Sequence, residues 1–521
     1  MLGIKDLPQD LFYQICSYLR INDLIALSSV CVQFFHWLSR QSYWKWRSQN
    51  LLSGTYPCLP GYSVYIFLCI PNIEKTIDWV LTGFEREKCC INFGENTADC
   101  IRLSRLNVVS HGIDALHIPL KHPHLLIMGD RGRMVSIFSL KTGLLPNAWL
   151  PIFTEHHSHS GWIWTINSTD DTVITGSWDG ALRVWKLTNS GLAFQSIYQL
   201  STPVLCSSFL NSNTLAVGTY DRDVYLLDIR SFEHNPPGRM RHKKAVLCMD
   251  AVYENGLNSV ASNSFTSAVK NYVGGGSGVN CDQMYVEYDC NSELSSITGS
   301  EENFGDYIFD PLEKEHVTLD SRETSPTLIP KKCGSNETSS VRQNVRTDLR
   351  CRNLNHPEKQ PFSDVHLITG SSDQYIAGWD VRNVSQPVHK HKLTRYPRKL
   401  SLLDKHELWV AEPPDLIHVF DIHDNQFNCV YTNQLPGWNR GFGGLKATLG
   451  CIFAAGLHGS VEAYHPTYPI LPISKQPLAE KINALPTSLD YHNDVLAVGS
   501  GNGSVYVWSS VDRFESLTTS D

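Results

Sequence analysis

The chain has 521 residues, 42% of them hydrophobic and 18% charged, with a formal net charge of −8, enough for at least two domains with real cores and without the basic field that would hold it on nucleic acid. The opening MLGIKDLPQDLF lacks the layout of a secretory signal, and the longest apolar run, VYIFLCI, falls far short of the ~20 residues a membrane span needs, so a cytoplasmic or nuclear protein with no membrane partner is expected. Fifteen cysteines scattered without CxxC or Cys/His ligand spacing fit a reducing compartment.

Residues 1–47 have a helical pattern. Leu11, Ile15 and Leu19 recur every four residues, and Asp6 with Gln9 can cap a helix entering around Pro8. A second helix is predicted after Asn22 or Asp23, carrying Leu24, Leu27 and Val30; a third takes the aromatic string Phe34, Phe35, Trp37, Trp44 and Trp46. Three short helices make only a small core, so such a module leans on a partner. The stretch resembles the F-box, with Leu7, Pro8, Leu11, Ile15, Leu19, Asp23, Leu24, Leu27, Val30, Cys31 and Trp44 in the family's pattern and Phe34 where many members carry Trp. The resemblance implies docking on a Skp-type adaptor through Leu7, Pro8, Leu11, Ile15, Leu19 and Leu24.

Residues 48–100 read as a connector. Pro57, Pro60 and Gly61 mark a loop, and Ile73, Ile77, Leu81 and Phe84 form a 3.6-period stripe for a linker helix that would hold the two ends at a fixed distance.

Over 101–513 a unit repeats: an apolar strand, a tight turn rich in Gly, Asp or Asn, then an alternating strand. Its reference positions are Gly129, Gly176, Gly218, Ser262, Gly370, Ala411, Gly456 and Gly499, with most gaps 41 to 47 residues. That spacing fits four-stranded propeller blades, eight being expected and seven the alternative. The copies resemble WD repeats. On that pattern His159, Thr175, Asp179 and Trp185 form a buried hydrogen-bonded set in the second copy; the fourth, SVASNSFTSAVKNYV, lacks both Asp and Trp. The 108 residues between Ser262 and Gly370 exceed a blade step, and 273–360, rich in Ser, Thr, Asn, Glu and Gly, is expected to be a disordered insertion. Its GGGSG run is not followed by the Lys-Ser/Thr of a phosphate loop.

The fold class is therefore mainly β, a WD-type β-propeller preceded by a small all-α F-box and a helical linker. This combination resembles the F-box/WD-repeat substrate receptors of cullin-RING ubiquitin ligases. The resemblance implies a non-catalytic subunit that docks an adaptor, and through it a cullin, and presents a target protein. No cofactor or metal is expected: the His-rich EHHSHSGW at 155–162 lacks partners at ligand spacing, and His159 is already used by the WD pattern. In such propellers the residues just past each reference position ring the channel on one face: Arg131, Trp178, Tyr220, Ser264, Ser372, Pro413, His458 and Gly501. Trp164, Trp178 and Tyr220 are expected to anchor an apolar element of the target. Two basic loops, RMRHKK at 239–244 and HKHKLTRYPRK at 389–399, add Arg241, Lys243, Lys244, Arg395, Arg398 and Lys399 to attract an acidic flank.

Overall fold

The computed structural model describes residues 7–56, 78–94, 101–107, 111–140, 151–231, 238–252, 365–403, 407–422, 426–474 and 485–510, with a few single positions besides. Four helices open the chain: α1 (Gln9–Cys16), α2 (Ile21–Ser28), α3 (Val32–Leu38) and α4 (Gln41–Asn50). Pro8, at φ −54°, sets the entry of α1. The second helix starts earlier than expected: Asp23 lies inside its first turn, its carboxylate accepting from the Arg20 backbone N–H at 3.1 Å. The aromatic string is divided between α3 and α4 rather than lying on one helix, and the Trp44 indole donates to the Leu38 carbonyl at 2.7 Å across the break. Phe12, Cys16, Ile21, Leu24, Phe34, Leu38, Tyr43 and Trp44 form the core, with Phe12 stacked on Phe34 at 4.6 Å.

The linker helix is α5 (Trp79–Phe93), capped by Asp78, whose carboxylate accepts from the Leu81 N–H at 3.0 Å. Phe84 is buried and Leu81 half-buried on it, while Ile73 and Ile77 lie outside the described residues. Gly83 lets α5 approach α4, since a Cβ there would sit 2.7 Å from both Ser48 Oγ and Trp44 Cε3. Arg47 ties the same helices: it pairs with Glu87 and donates to the carbonyls of Cys16 and Leu19, both at 2.7 Å.

Among the described residues seven sheets follow, six of four strands and one of three, each a blade of antiparallel strands. Blades 1, 2, 3, 5 and 6 span 113–155, 163–199, 204–241, 399–434 and 442–464. Blade 4 takes its innermost strand from Val246–Ala251 and the rest from 367–392; blade 7 takes three strands from 486–510 and its outermost from Ile101–Asn107. That last pairing runs from Ile101 opposite Ser510 to Asn107 opposite Ser504. Each innermost strand touches the next around the ring, and Ile113–His117 meets Pro486–His492 to close it.

The favoured count of eight blades is thus corrected to seven. Val246–Ala251 pairs directly with Leu367–Ser371, Cys248 opposite Gly370 and Ala251 opposite Leu367, so the copy assigned to Ser262 has no sheet position left to fill. The long gap falls inside blade 4, between its first and second strands, where the Val252 N–H donates to the His366 carbonyl at 3.0 Å. The stretch expected to be disordered, 273–360, lies outside the described residues.

In every blade the first and second strands turn at one face of the ring, as where Thr169 faces Thr172 and His492 faces Val495. The second and third turn at the other, as at Ser177 and Gly180. Helix α5 docks on the first of these faces. Its Cys89 and Phe93 share a core with Cys451, Phe453 and Tyr491, Lys88 meets Asp494 at 2.5 Å, and Thr55 and Tyr468 exchange backbone hydrogen bonds of 3.0 Å. Gly450 allows this contact: a Cβ there would stand 2.5 Å from Cys89 Sγ.

Candidate functional site

The helical module is apolar on two sides. Phe12 and Cys16 of α1 point into the core, whereas Leu11 and Ile15, each 48% exposed, point to solvent with Tyr18 at 85% and Pro8 beside them. Val30, between α2 and α3, and Val32, the first residue of α3, are exposed as well, a surplus of apolar surface that the module's own core does not use. Leu7 and Leu19 are half-buried. Leu24 departs from its expected role, because it is fully buried in the core and presents no surface to a partner.

In blade 2 the expected WD set is assembled. The Trp185 indole donates to Thr175 Oγ1 at 3.0 Å, Thr175 Oγ1 lies 2.8 Å from His159 Nε2, and His159 Nδ1 is 3.3 Å from Asp179 Oδ2. The backbone N–H groups of Ser160 and Ala181 also donate to Asp179, at 2.7 and 2.8 Å. Burial would raise the Asp179 carboxyl, but hydrogen bonds from His159, Ala181 and Ser160 outweigh it and hold the group well below the usual carboxylate range. Burial keeps His159 below its ordinary value, against the pull of Asp179.

A second such set stands in blade 4, and sequence reasoning missed it. Thr369 Oγ1 accepts from the Trp379 indole at 2.8 Å and lies 2.8 Å from His242 Nε2, while Asp373 accepts from the Lys243 and Tyr375 N–H groups at 2.8 and 3.1 Å. Its signal is ITGSSDQYIAGW at 368–379, which repeats ITGSWDGALRVW at 174–185. Apart from His242 Nδ1, which lies 3.7 Å from Asp373 without a hydrogen bond, these networks satisfy their buried polar atoms and lock strand to turn, so their side chains are scaffold.

The face opposite α5 carries the aromatic cluster. The rings of Trp164 and Trp178 are 5.9 Å apart and those of Trp178 and Tyr220 5.6 Å, with Trp178 and Tyr220 42% and 56% exposed. Trp162, not singled out in the sequence, joins them at 46% exposed, its carbonyl accepting from the Trp178 N–H at 2.8 Å. A β-bulge recurs at the start of the innermost strand in six blades, and in blade 2 the extra residue it re-aims is Trp164. The Trp164 indole N–H is buried with no acceptor among the described residues.

The cations divide into engaged and available ones. Arg131 is engaged: it grips Asp114 with bonds of 2.6 and 3.0 Å and lies 5.4 Å from the Trp162 ring centre, so its fork is not open to a ligand. Arg241 belongs to the outer strand of blade 3, 3.5 Å from Asp223, and His242 beside it is buried. The run 239–244 is therefore not one solvated loop. Lys243, Lys244 and Arg395 are exposed, Arg398 and Lys399 half-buried, and none of the five has a carboxylate partner within ion-pair distance among the described residues. Burial, with Arg398 alongside, brings Lys399 down to about 8. His156 and His157 of the His-rich run are exposed, and GGGSG lies outside the described residues. Among the described residues no group of His, Cys, Asp and Glu is arranged to hold a metal, and no helix is long and apolar enough to cross a membrane.

Residues 4–46 match the F-box domain family, and 150–186 match the WD domain, G-beta repeat. The chain is 28% identical to F-box/WD repeat-containing protein 9 of Homo sapiens over 249 residues, 46% of this chain and 50% of that one. The Bos taurus protein of the same name is 27% identical over 253 residues, 47% of this chain and 52% of that one. E3 ubiquitin-protein ligase COP1 of Arabidopsis thaliana is 25% identical over 130 residues, 22% of this chain and 18% of that one. The chain spans about half the length of the F-box/WD relatives it matches. The chain thus carries an F-box match at residues 4–46 and a WD-repeat match at 150–186, and it is similar over about half its length to F-box/WD relatives.

Proposed function

We propose that this chain is the substrate-recognition subunit of a Skp-cullin-F-box ubiquitin ligase. The observation that carries the reading is the division of surfaces: an F-box with spare apolar side chains is bolted by α5 to one face of the ring, and the exposed aromatics lie on the other. The F-box docks a Skp-type adaptor through Pro8, Leu11 and Ile15, with Leu7 and Leu19 at the margin. The propeller holds a target by Trp162, Trp164, Trp178 and Tyr220, which suit a bulky apolar anchor, while Lys243, Lys244, Arg395, Arg398 and Lys399 draw in an acidic flank. In this role the chain does no bond chemistry. Holding a target lysine near the charged thioester of a conjugating enzyme raises its effective concentration, and a stiff joint limits the volume it samples.

The test is reconstitution of the full chain with a Skp-type adaptor, a cullin-RING core and conjugating enzyme. The expected result is recovery of adaptor and cullin together and ubiquitin conjugates on a captured target, with Trp178→Ala keeping the adaptor and losing the target. Adaptor bound without cullin or conjugates would replace the ligase by a scaffold that uses the adaptor for another purpose.

A further inference from the structure

Val269 is out of place for a propeller residue. It follows Ala251, the end of the innermost strand of blade 4, by 18 positions and precedes the next strand of that blade at Leu367. Yet it is helical, 0% exposed, and belongs to the same core as Phe12, Cys16, Leu24, Trp44, Trp79 and Phe84. The chain thus leaves blade 4 and places a valine in the hydrophobic interior shared by the F-box helices and the start of α5. The topology permits it, because the first-to-second strand turn of blade 4 opens on the face of the ring where α5 docks. The composition favours it, since four short helices enclose little apolar volume and gain from any side chain that fills a gap.

We infer that the F-box module of this chain draws on two parts of the sequence, residues 7–56 with 78–94 and Val269 of the blade 4 insertion, so that Val269 stabilises the adaptor-docking head. The occupant of the gap in that core is this valine of the same chain. The insertion is held at blade 4 by the Val252 to His366 hydrogen bond and at the F-box by Val269. Whatever draws Val269 out loosens the helices that carry Leu11 and Ile15, and tight adaptor docking favours the seated valine in return.

Two variants of the full chain test this. Val269→Asp places a charge in the core. A second variant replaces residues 253–364 with a short Gly/Ser turn, which the proximity of Val252 to His366 allows without opening blade 4. Hydrogen exchange is followed at the amides of α1 and α4 and, as an internal reference, at the blade 2 strands around Thr175. Both variants should exchange about ten-fold faster in α1 and α4, with the blade 2 amides unchanged. Val269→Ile should exchange as the parent does. This readout needs no adaptor, so it stands or falls apart from the proposed ligase role; adaptor recovery measured alongside should drop in both variants. Parental exchange in α1 and α4 in the variant lacking 253–364 would overturn the inference, and so would equal acceleration in blade 2.

Discussion

Leu11 and Leu24 stand thirteen residues apart in one module, and truncating them should fail in opposite ways. Leu11 and Ile15 each keep 48% of their surface exposed, so an adaptor can still bury about half of each side chain. Full burial of such a residue gains roughly 1.5–3 kcal/mol, which leaves about 1 kcal/mol apiece for binding. Leu11→Ala with Ile15→Ala should therefore cost about 2 kcal/mol of adaptor affinity, close to a 30-fold rise in Kd, with little loss of stability. Leu24 is 0% exposed, and Leu24→Ala should open a cavity worth about 2–5 kcal/mol of folding stability. Titration calorimetry against the purified adaptor, paired with urea unfolding of each variant, separates the two. A folded double variant that binds within two-fold of the parent would refute the assignment of that face, and Leu24→Ala weakening adaptor at unchanged stability would show that Leu24 is reached by the partner after all.

In blade 4, Thr369→Val keeps shape but leaves the Trp379 indole and His242 without their shared hydroxyl, and urea unfolding should show a loss of about 2–5 kcal/mol, as Thr175→Val should in blade 2; a change below about 0.5 kcal/mol in either would contradict a structural role. Burial holds His465 and His492 down at about 4, so both stay neutral in the folded chain while an unfolded histidine takes its proton near 6.5. Stability should accordingly fall as pH drops from 6.5 toward 4, and His465→Asn should flatten part of that slope in thermal melts. Lys399, at about 8, loses its charge as pH rises from 7 to 9, so affinity for an acidic target should weaken about three- to ten-fold over that range. Lys399→Arg should remove the pH dependence; a parent profile flat across pH 7–9 would take Lys399 out of the target site.

Much of this architecture is legible in the sequence, and the failures have physical causes. Thr175, Asp179 and Trp185 announce their network because a Gly-bearing turn, a carboxylate and an indole must recur at fixed offsets for the set to close. The same offsets at Thr369, Asp373 and Trp379 were readable, but their histidine, His242, is 127 positions from Thr369, on the far side of an insertion that spacing cannot place. A gap of 108 residues between reference positions fits one blade plus a loop as well as it fits a loop inside a blade. Only the pairing of Val246–Ala251 with Leu367–Ser371 decides between them. On α1, periodicity marks Leu11 and Ile15 as a stripe without saying which side is core, because Phe12 and Cys16 make a second stripe beside it. Arg131 looks like a free cation until Asp114, distant by seventeen residues, is seen to hold it.

The pairing of Ile101–Asn107 with Ser504–Ser510 also has a consequence in time. The strand that closes the ring is made early, and its partner emerges from the ribosome about 400 residues later, roughly 20–80 s at 5–20 residues per second. By the end of that interval blades 1 to 6 have been made as an open arc whose two ends, Ile113–His117 and Phe442–Ala447, each lack the neighbour that blade 7 provides. Until Ser504–Ser510 is made, the nascent chain keeps unpaired strand edges exposed, the kind of surface that aggregates before closure. Deleting Ser504–Ser510 should leave the ring unclosed, so that the loss costs far more than one seven-residue strand would contribute by itself.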